Sequence, residues 1–135
     1  MVEITGIYEG EKHCHLTHGP SKNNIQTDAP KDNNGRGEAF SPTDLLAASL
    51  GSCMLTVMGI YADNHGISIK GSSFRVLKEM AASPRKVSSL TVEIKMPASL
   101  SQKDRETLQR VAETCPVKLS LHPDIHIPLS FDYSI

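Results

Sequence analysis

Residues 41–66 read SPTDLLAASLGSCMLTVMGIYADNHG, and this stretch decides the fold. No residue from Leu45 to Ala62 is charged. A run of that length reaches the lower limit of a membrane span. It nevertheless holds Ser49, Gly51, Ser52, Thr56 and Gly59, Asp44 and Asp63 flank it, and no Lys, Arg or Trp anchors either end. It reads as a helix of a protein core. Ser41 suits the N-cap, Pro42 the first helical position and Asp44 the third, where its carboxylate can return a hydrogen bond to the cap. Gly66 suits the residue just past the end, which needs a left-handed backbone. A helix apolar on nearly every side requires more cover than a small domain supplies. The expectation is a central helix, packed at a subunit interface. The small residues Ala48, Ser52 and Thr56, spaced by four, admit close approach of another helix.

Outward from this helix the pattern turns to strands. Val2–Gly10 and Lys12–Thr17 alternate, with a turn at Glu9-Gly10, and a third short strand runs Asn24–Thr27. Residues 28–41 (DAPKDNNGRGEAFS) are a loop by their Pro, Gly, Asn and Asp content. After the helix, residues 67–80 and 85–96 form a β region, joined at Ala81-Ala82-Ser83-Pro84. Leu90, Val92, Ile94 and Met96 share one face of it. A second helix from Gln102 to about Thr114 carries the stripe Leu108, Val111, Ala112, Cys115. Pro116 opens a short helix through Leu121, and residues 125–133 close the chain as a strand. The order β-β-(β)-α-β-β-α-β predicts an α+β fold rather than alternating βα units. One domain over residues 1–135 is expected from the length.

Composition excludes several function classes. Fourteen Lys+Arg against fifteen Asp+Glu leave a net charge of −1, without the basic footprint of a nucleic-acid binder. Aromatics are 4% with no Trp, so base-stacking platforms are absent too. The segment Met-Val-Glu-Ile-Thr-Gly shows no basic stretch followed by an apolar run, so no signal peptide is expected. A cytoplasmic, reducing location follows, with no membrane partner. The three cysteines, Cys14, Cys53 and Cys115, are an odd number with no CxxC, which excludes a fully paired disulfide scaffold.

Cys53 falls on the stripe Leu46, Leu50, Cys53, Val57, Ile60, and Cys115 closes the apolar face of the second helix. Both aim inward, although pattern alone does not decide whether they meet. If they do, one thiolate can attack an O–O bond and become a sulfenic acid, and the second thiol can condense with it to a disulfide. A dithiol would then reset the pair.

The motif Ser41-Pro42-Thr43-Asp44-Leu45-Leu46-Ala47-Ala48-Ser49-Leu50-Gly51-Ser52-Cys53, followed by Cys115-Pro116-Val117-Lys118-Leu119-Ser120-Leu121, resembles the OsmC/Ohr family of osmotically induced and organic hydroperoxide resistance proteins. The resemblance spans nearly the whole chain. It implies an OsmC-like α+β fold, with antiparallel sheets wrapped around a long central helix in an intertwined homodimer. It further implies a thiol peroxidase acting on organic hydroperoxides, recycled by lipoyl-type dithiols, with no metal or bound cofactor. Carried over by motif, Cys53 is the peroxidatic and Cys115 the resolving cysteine.

Two positions depart from the family pattern. The resemblance leads one to expect a Glu directly after the Pro of the first motif, and here that residue is Thr43. Thr43 lies about 15 Å from Cys53 along a helix axis, so its hydroxyl reaches such a thiol only across a dimer. The family Arg of the first hairpins is also missing; Arg36 is the nearest guanidinium, with Lys12 behind it. The need for such a group is physical, because a mid-helix thiol in apolar surroundings ionises poorly. The departures motivate a second expectation, a stress-related small-molecule-binding relative without efficient peroxidase activity. His13 and His15 share one strand face at HxH spacing, and His18 or His126 could add a third donor for a metal. Surface histidines on an edge hairpin are the plainer reading, with Cys14 on the opposite face as a spectator.

Overall fold

The computed structural model describes residues 1–135, which divide into two compact units, Met1–Leu46 and Ala47–Ile135. The first unit is a three-stranded antiparallel sheet in the order β1 (Ile4–Tyr8), β2 (His13–His18), β3 (Asn24–Asp28). Tyr8 pairs with Cys14, and Cys14 pairs with Thr27. The β1–β2 turn places Gly10, Glu11 and Lys12 at positive φ, closed by Glu9 N–H to the His13 carbonyl at 2.9 Å. The loop from Asp28 to Ser41 holds one 3-10 turn at Lys31–Asn33.

The long helix α1 (Pro42–Asn64) begins in the first unit and continues into the second. Its start is the expected reciprocal cap. Asp44 N–H donates to Ser41 Oγ at 3.0 Å, and Ser41 N–H donates to Asp44 Oδ2 at 2.9 Å. Its end is also as expected. Gly66 has φ +66, and Ile67 N–H returns to the Ala62 carbonyl at 2.9 Å. His65 stacks on Tyr61 and bonds the Tyr61 carbonyl at 2.8 Å, a structural role at the helix end.

In the second unit β4 (Ser73–Ala82) and β5 (Arg85–Met96) form an antiparallel hairpin, and β6 (Leu129–Tyr133) pairs with β5. The expectation of purely antiparallel sheets fails at β6, which runs parallel to β5. Its reason is the connection: α2 (Gln102–Ala112) and α3 (Pro116–Ser120) lie between β5 and β6, and a crossover of that length brings the chain back in the same direction. Residues 67–72 are not strand, because Gly71 at φ +90 turns the chain there.

The core of this unit is aliphatic, as the composition requires. Leu90, Val92, Ile94 and Met96 point from β5 with at most 1% exposure, beside Leu50, Met54 and Met58 of α1 and Leu108, Ala112 and Cys115. Within one chain α1 is covered on one side only. Its buried line is Ala47, Leu50, Gly51, Met54, Met58 and Ala62, while Ser52, Thr56 and Ile60 are exposed. The line Leu46–Cys53–Ile60 expected to be buried sits roughly 100° round the helix, at the edge of the core. Gly51 explains the difference. A Cβ there would lie 2.2 Å from Phe74 Cδ2, so the ring of β4 packs directly on helix backbone. Arg105 donates to the Leu100 and Ala98 carbonyls at 3.0 and 2.7 Å and covers the Tyr133 ring. Its stem and guanidinium pin the start of α2 to β6.

Candidate active site: a thiol pair on two helices

Cys53 and Cys115 meet. Cys53 sits mid-way along α1 at the border of its buried line and is half-buried, while Cys115 is wholly buried at 0% exposure. The two thiols are free, and Cys53 lies close enough to Cys115 to influence its ionisation. Mid-helix placement fixes the Cys53 backbone, and its position one step off the core leaves one side of the sulfur open.

Cys115 is fixed differently. Thr114-Cys115-Pro116 breaks the chain between α2 and α3, because Pro116 cannot continue α2 but suits the first position of α3. Cys115 therefore becomes the N-cap of α3, in the role usually taken by Ser or Asp. Its Sγ accepts the Lys118 backbone N–H at 3.4 Å, and its carbonyl accepts Leu119 N–H at 3.1 Å. Burial pushes the Cys115 thiol above its ordinary ionisation range, and its hydrogen bond to Cys53 adds to this. The backbone N–H groups of Lys118 and Val117 act in the opposite sense. The net direction keeps Cys115 protonated, able to donate S–H to Cys53. Glu113 and Lys118 form an ion pair whose two ends lie on either side of Cys115 in the chain.

The remaining expected residues lie in the first unit, each with partners there. Arg36 pairs with Glu11 at 3.2 Å and reaches Asp28 at 3.9 Å. The Thr43 hydroxyl contacts Ser41 Oγ at 3.2 Å, within the cap of α1. His13 Nδ1 bonds Asp28 Oδ1 at 2.6 Å, and His18 Nδ1 bonds Ser21 Oγ at 2.6 Å. No three His, Cys, Asp or Glu side chains converge within the single chain. Around Cys53 on α1, Leu50, Met54 and Met58 are at 0% exposure and belong to the core, while Val57 is partly open.

Sequence reading missed the Asp28 knot. Asp28 is 1% exposed, and it also accepts Glu38 N–H at 3.0 Å. The His13 hydrogen bond holds its carboxyl below the usual range, aided by Glu38 N–H and the positive charge of Arg36 and opposed by burial. The signal in the sequence was an Asp ending a strand before a Gly- and Asn-rich loop, which reads as ordinary turn chemistry.

Two three-stranded sheets and one long helix define the α+β class to which the chain belongs. The chain belongs to the OsmC-like protein family, whose profile matches residues 35–130. It is similar to a candidate osmotic-stress-induced and detoxification-response protein from Psychrobacter arcticus 273-4, with 46% identity, TM-score 0.93, and 97% of this chain and 96% of that one covered. Organic hydroperoxide resistance proteins share the fold. The OsmC of Legionella pneumophila has 20% identity and TM-score 0.78 over 98% of this chain and 96% of its own. That of Elizabethkingia anophelis has 12% identity and TM-score 0.79 over 99% and 96%. Comparison with curated proteins gives no significant match.

Proposed function

We propose that the chain is a thiol peroxidase that reduces organic hydroperoxides, with Cys53 as the attacking and Cys115 as the resolving cysteine. The observation that carries this reading is the neighbouring thiol pair itself, Cys53 half-buried and Cys115 fully enclosed. The Cys53 thiolate attacks the outer oxygen of the hydroperoxide, the O–O bond breaks, and the alkoxide leaves as alcohol after taking a proton. Cys53 becomes a sulfenic acid. Cys115 attacks that sulfur, water departs, and the disulfide forms with no large movement because the thiols already touch. A lipoyl-type dithiol returns both to thiols. Family membership and the names of the fold relatives support the substrate class. The three unpaired cysteines support a reducing, cytoplasmic setting.

The reading includes a homodimer. In the first unit Ile4, Ile7, Tyr8 and Ile25 are at least half exposed. A three-stranded sheet needs a covered apolar face, and a second copy supplies one. Sedimentation at micromolar concentration is expected to give a dimer.

The test is turnover of cumene hydroperoxide with reduced lipoamide. Cys53→Ser is expected to fall to background. Cys115→Ser is expected to consume one equivalent and stop at the sulfenic acid. Unchanged turnover in Cys53→Ser overturns the proposal. One observation favours the alternative of a stress-related binding protein without efficient peroxidase activity: Arg36 is paired with Glu11 and Asp28, and the Thr43 hydroxyl contacts Ser41. On that reading Cys53 alkylates at neutral pH no faster than a free cysteine, and no hydroperoxide is consumed.

A further inference from the structure

We infer that the Cys53–Cys115 disulfide is opened from one side only, an external thiolate attacking the Cys53 sulfur while Cys115 leaves as the thiolate. This rests on the peroxidase reading above and adds the order of its reductive half. Exchange requires the incoming sulfur to reach one of the two disulfide sulfurs, roughly in line with the bond that breaks. The Cys53 sulfur is the partly open one, whereas Cys115 has no exposed surface. Attack on Cys115 would have to pass through the packing around Leu108 and Ala112, both at most 1% exposed.

The leaving side is also prepared. Lys118 N–H already points at Cys115 Sγ at 3.4 Å, and the nearby Val117 N–H also favours charge on that sulfur. These donors meet the negative charge that appears on Cys115 when the S–S bond breaks. The Glu113–Lys118 ion pair joins side chains on the two sides of Cys115 and is not needed for these donors. The Lys118 backbone amide is thus the positioning group for the resolving sulfur.

In the first step the thiolate of a dithiol bonds to Cys53, the Cys53–Cys115 bond breaks, and its electron pair leaves on Cys115. In the second, the other thiol of the reductant, as thiolate, attacks its own sulfur in the mixed disulfide. Cys53 leaves as thiolate, the reductant closes to a cyclic disulfide, and Cys115 recovers the proton the second thiol gave up. Two electrons pass from dithiol to protein. A monothiol has no second step, and Cys115, held beside Cys53, expels it again.

The experiment oxidises the full-length protein with diamide, so that disulfide formation does not depend on hydroperoxide turnover. The oxidised protein meets 2-mercaptoethanol briefly, is quenched in acid, and is tagged with a maleimide before peptide mapping. The mercaptoethanol adduct is expected on Cys53 and the maleimide on Cys115, the reverse labelling being at least about tenfold rarer. Lys118→Pro, which deletes the amide hydrogen, is expected to slow reductive opening about tenfold, while Lys118→Ala, which keeps it, opens within about threefold of wild type. The mapping on wild type stands whether or not Lys118→Pro folds. An adduct on Cys115 overturns the order of exchange and leaves the peroxidase reading intact. Failure of diamide to form the Cys53–Cys115 disulfide overturns both.

Discussion

The two units are held together by different physics. Every buried apolar side chain lies at or beyond Ala47. Before it the buried side chains are Thr27, Asp28 and Ser41, all polar. The second unit is a conventional core, with Met54, Met58, Leu90 and Met96 at 0% exposure. The first is a hydrogen-bonded ribbon and a loop knotted on one carboxylate, with Ile4 and Ile7 each 68% exposed. A sheet of three strands without a covered face is marginal in water. The contrast teaches that the apolar core and the Cys53–Cys115 pair sit in one part of the chain, while the other is shaped by polar contacts.

The strongest way to break this comparison is a pair of truncations. Met54→Ala removes a fully buried side chain one residue from Cys53 and is expected to cost about 2–5 kcal/mol in denaturant unfolding. Ile7→Ala removes an exposed one and is expected to change the unfolding of the isolated chain by no more than about 0.5 kcal/mol. Its effect should instead appear in the dimer dissociation constant. Equal costs for both in dilute monomer would remove the distinction between the units.

A smaller effect tests how the second unit packs. Gly51→Ala places a methyl 2.2 Å from the Phe74 ring, too close without movement. The expected loss is about 1–3 kcal/mol, recovered in part by Phe74→Leu in the same chain. A neutral Gly51→Ala would mean that α1 and β4 are not in contact there. Because Cys53 is two residues along the helix, the variant should also change the rate of disulfide formation with Cys115.

Much of this was legible in the sequence, for identifiable reasons. The cap Ser41-Pro42-Thr43-Asp44, the stop at Gly66 and the alternation of β5 are local, and local rules predicted them. The meeting of Cys53 and Cys115 was not derivable from spacing, since it depends on how α1 packs against the break at Pro116. The face of α1 that is buried was misread by one residue. Hydrophobicity alone made its stripes nearly equivalent, and the choice was made by the Phe74 ring against Gly51, a contact between residues distant in sequence. The parallel pairing of β6 and the Asp28 knot are likewise tertiary.

The smallest expected effect uses pH to separate the units by sign. Asp28 is held below its ordinary value of 3.8, chiefly by the His13 hydrogen bond. Its contribution is present above 3.8 and is lost as pH falls through the lower value of the folded state. Cys115 is shifted the other way by burial, so the unfolded chain releases that proton first. Stability tied to Cys115 is therefore present below the ordinary thiol range and falls as pH rises through it. Hydrogen exchange read residue by residue is expected to show β2, β3 and the loop to Phe40 loosening at the acid end. The residues around Leu108–Lys118 should loosen at the alkaline end. Asp28→Asn should flatten the first limb and leave the second, and Cys115→Ala should do the reverse. A single limb moving in both variants would mean that the two units share one titrating network, and the division between a polar-held and a core-held half of the chain would fall.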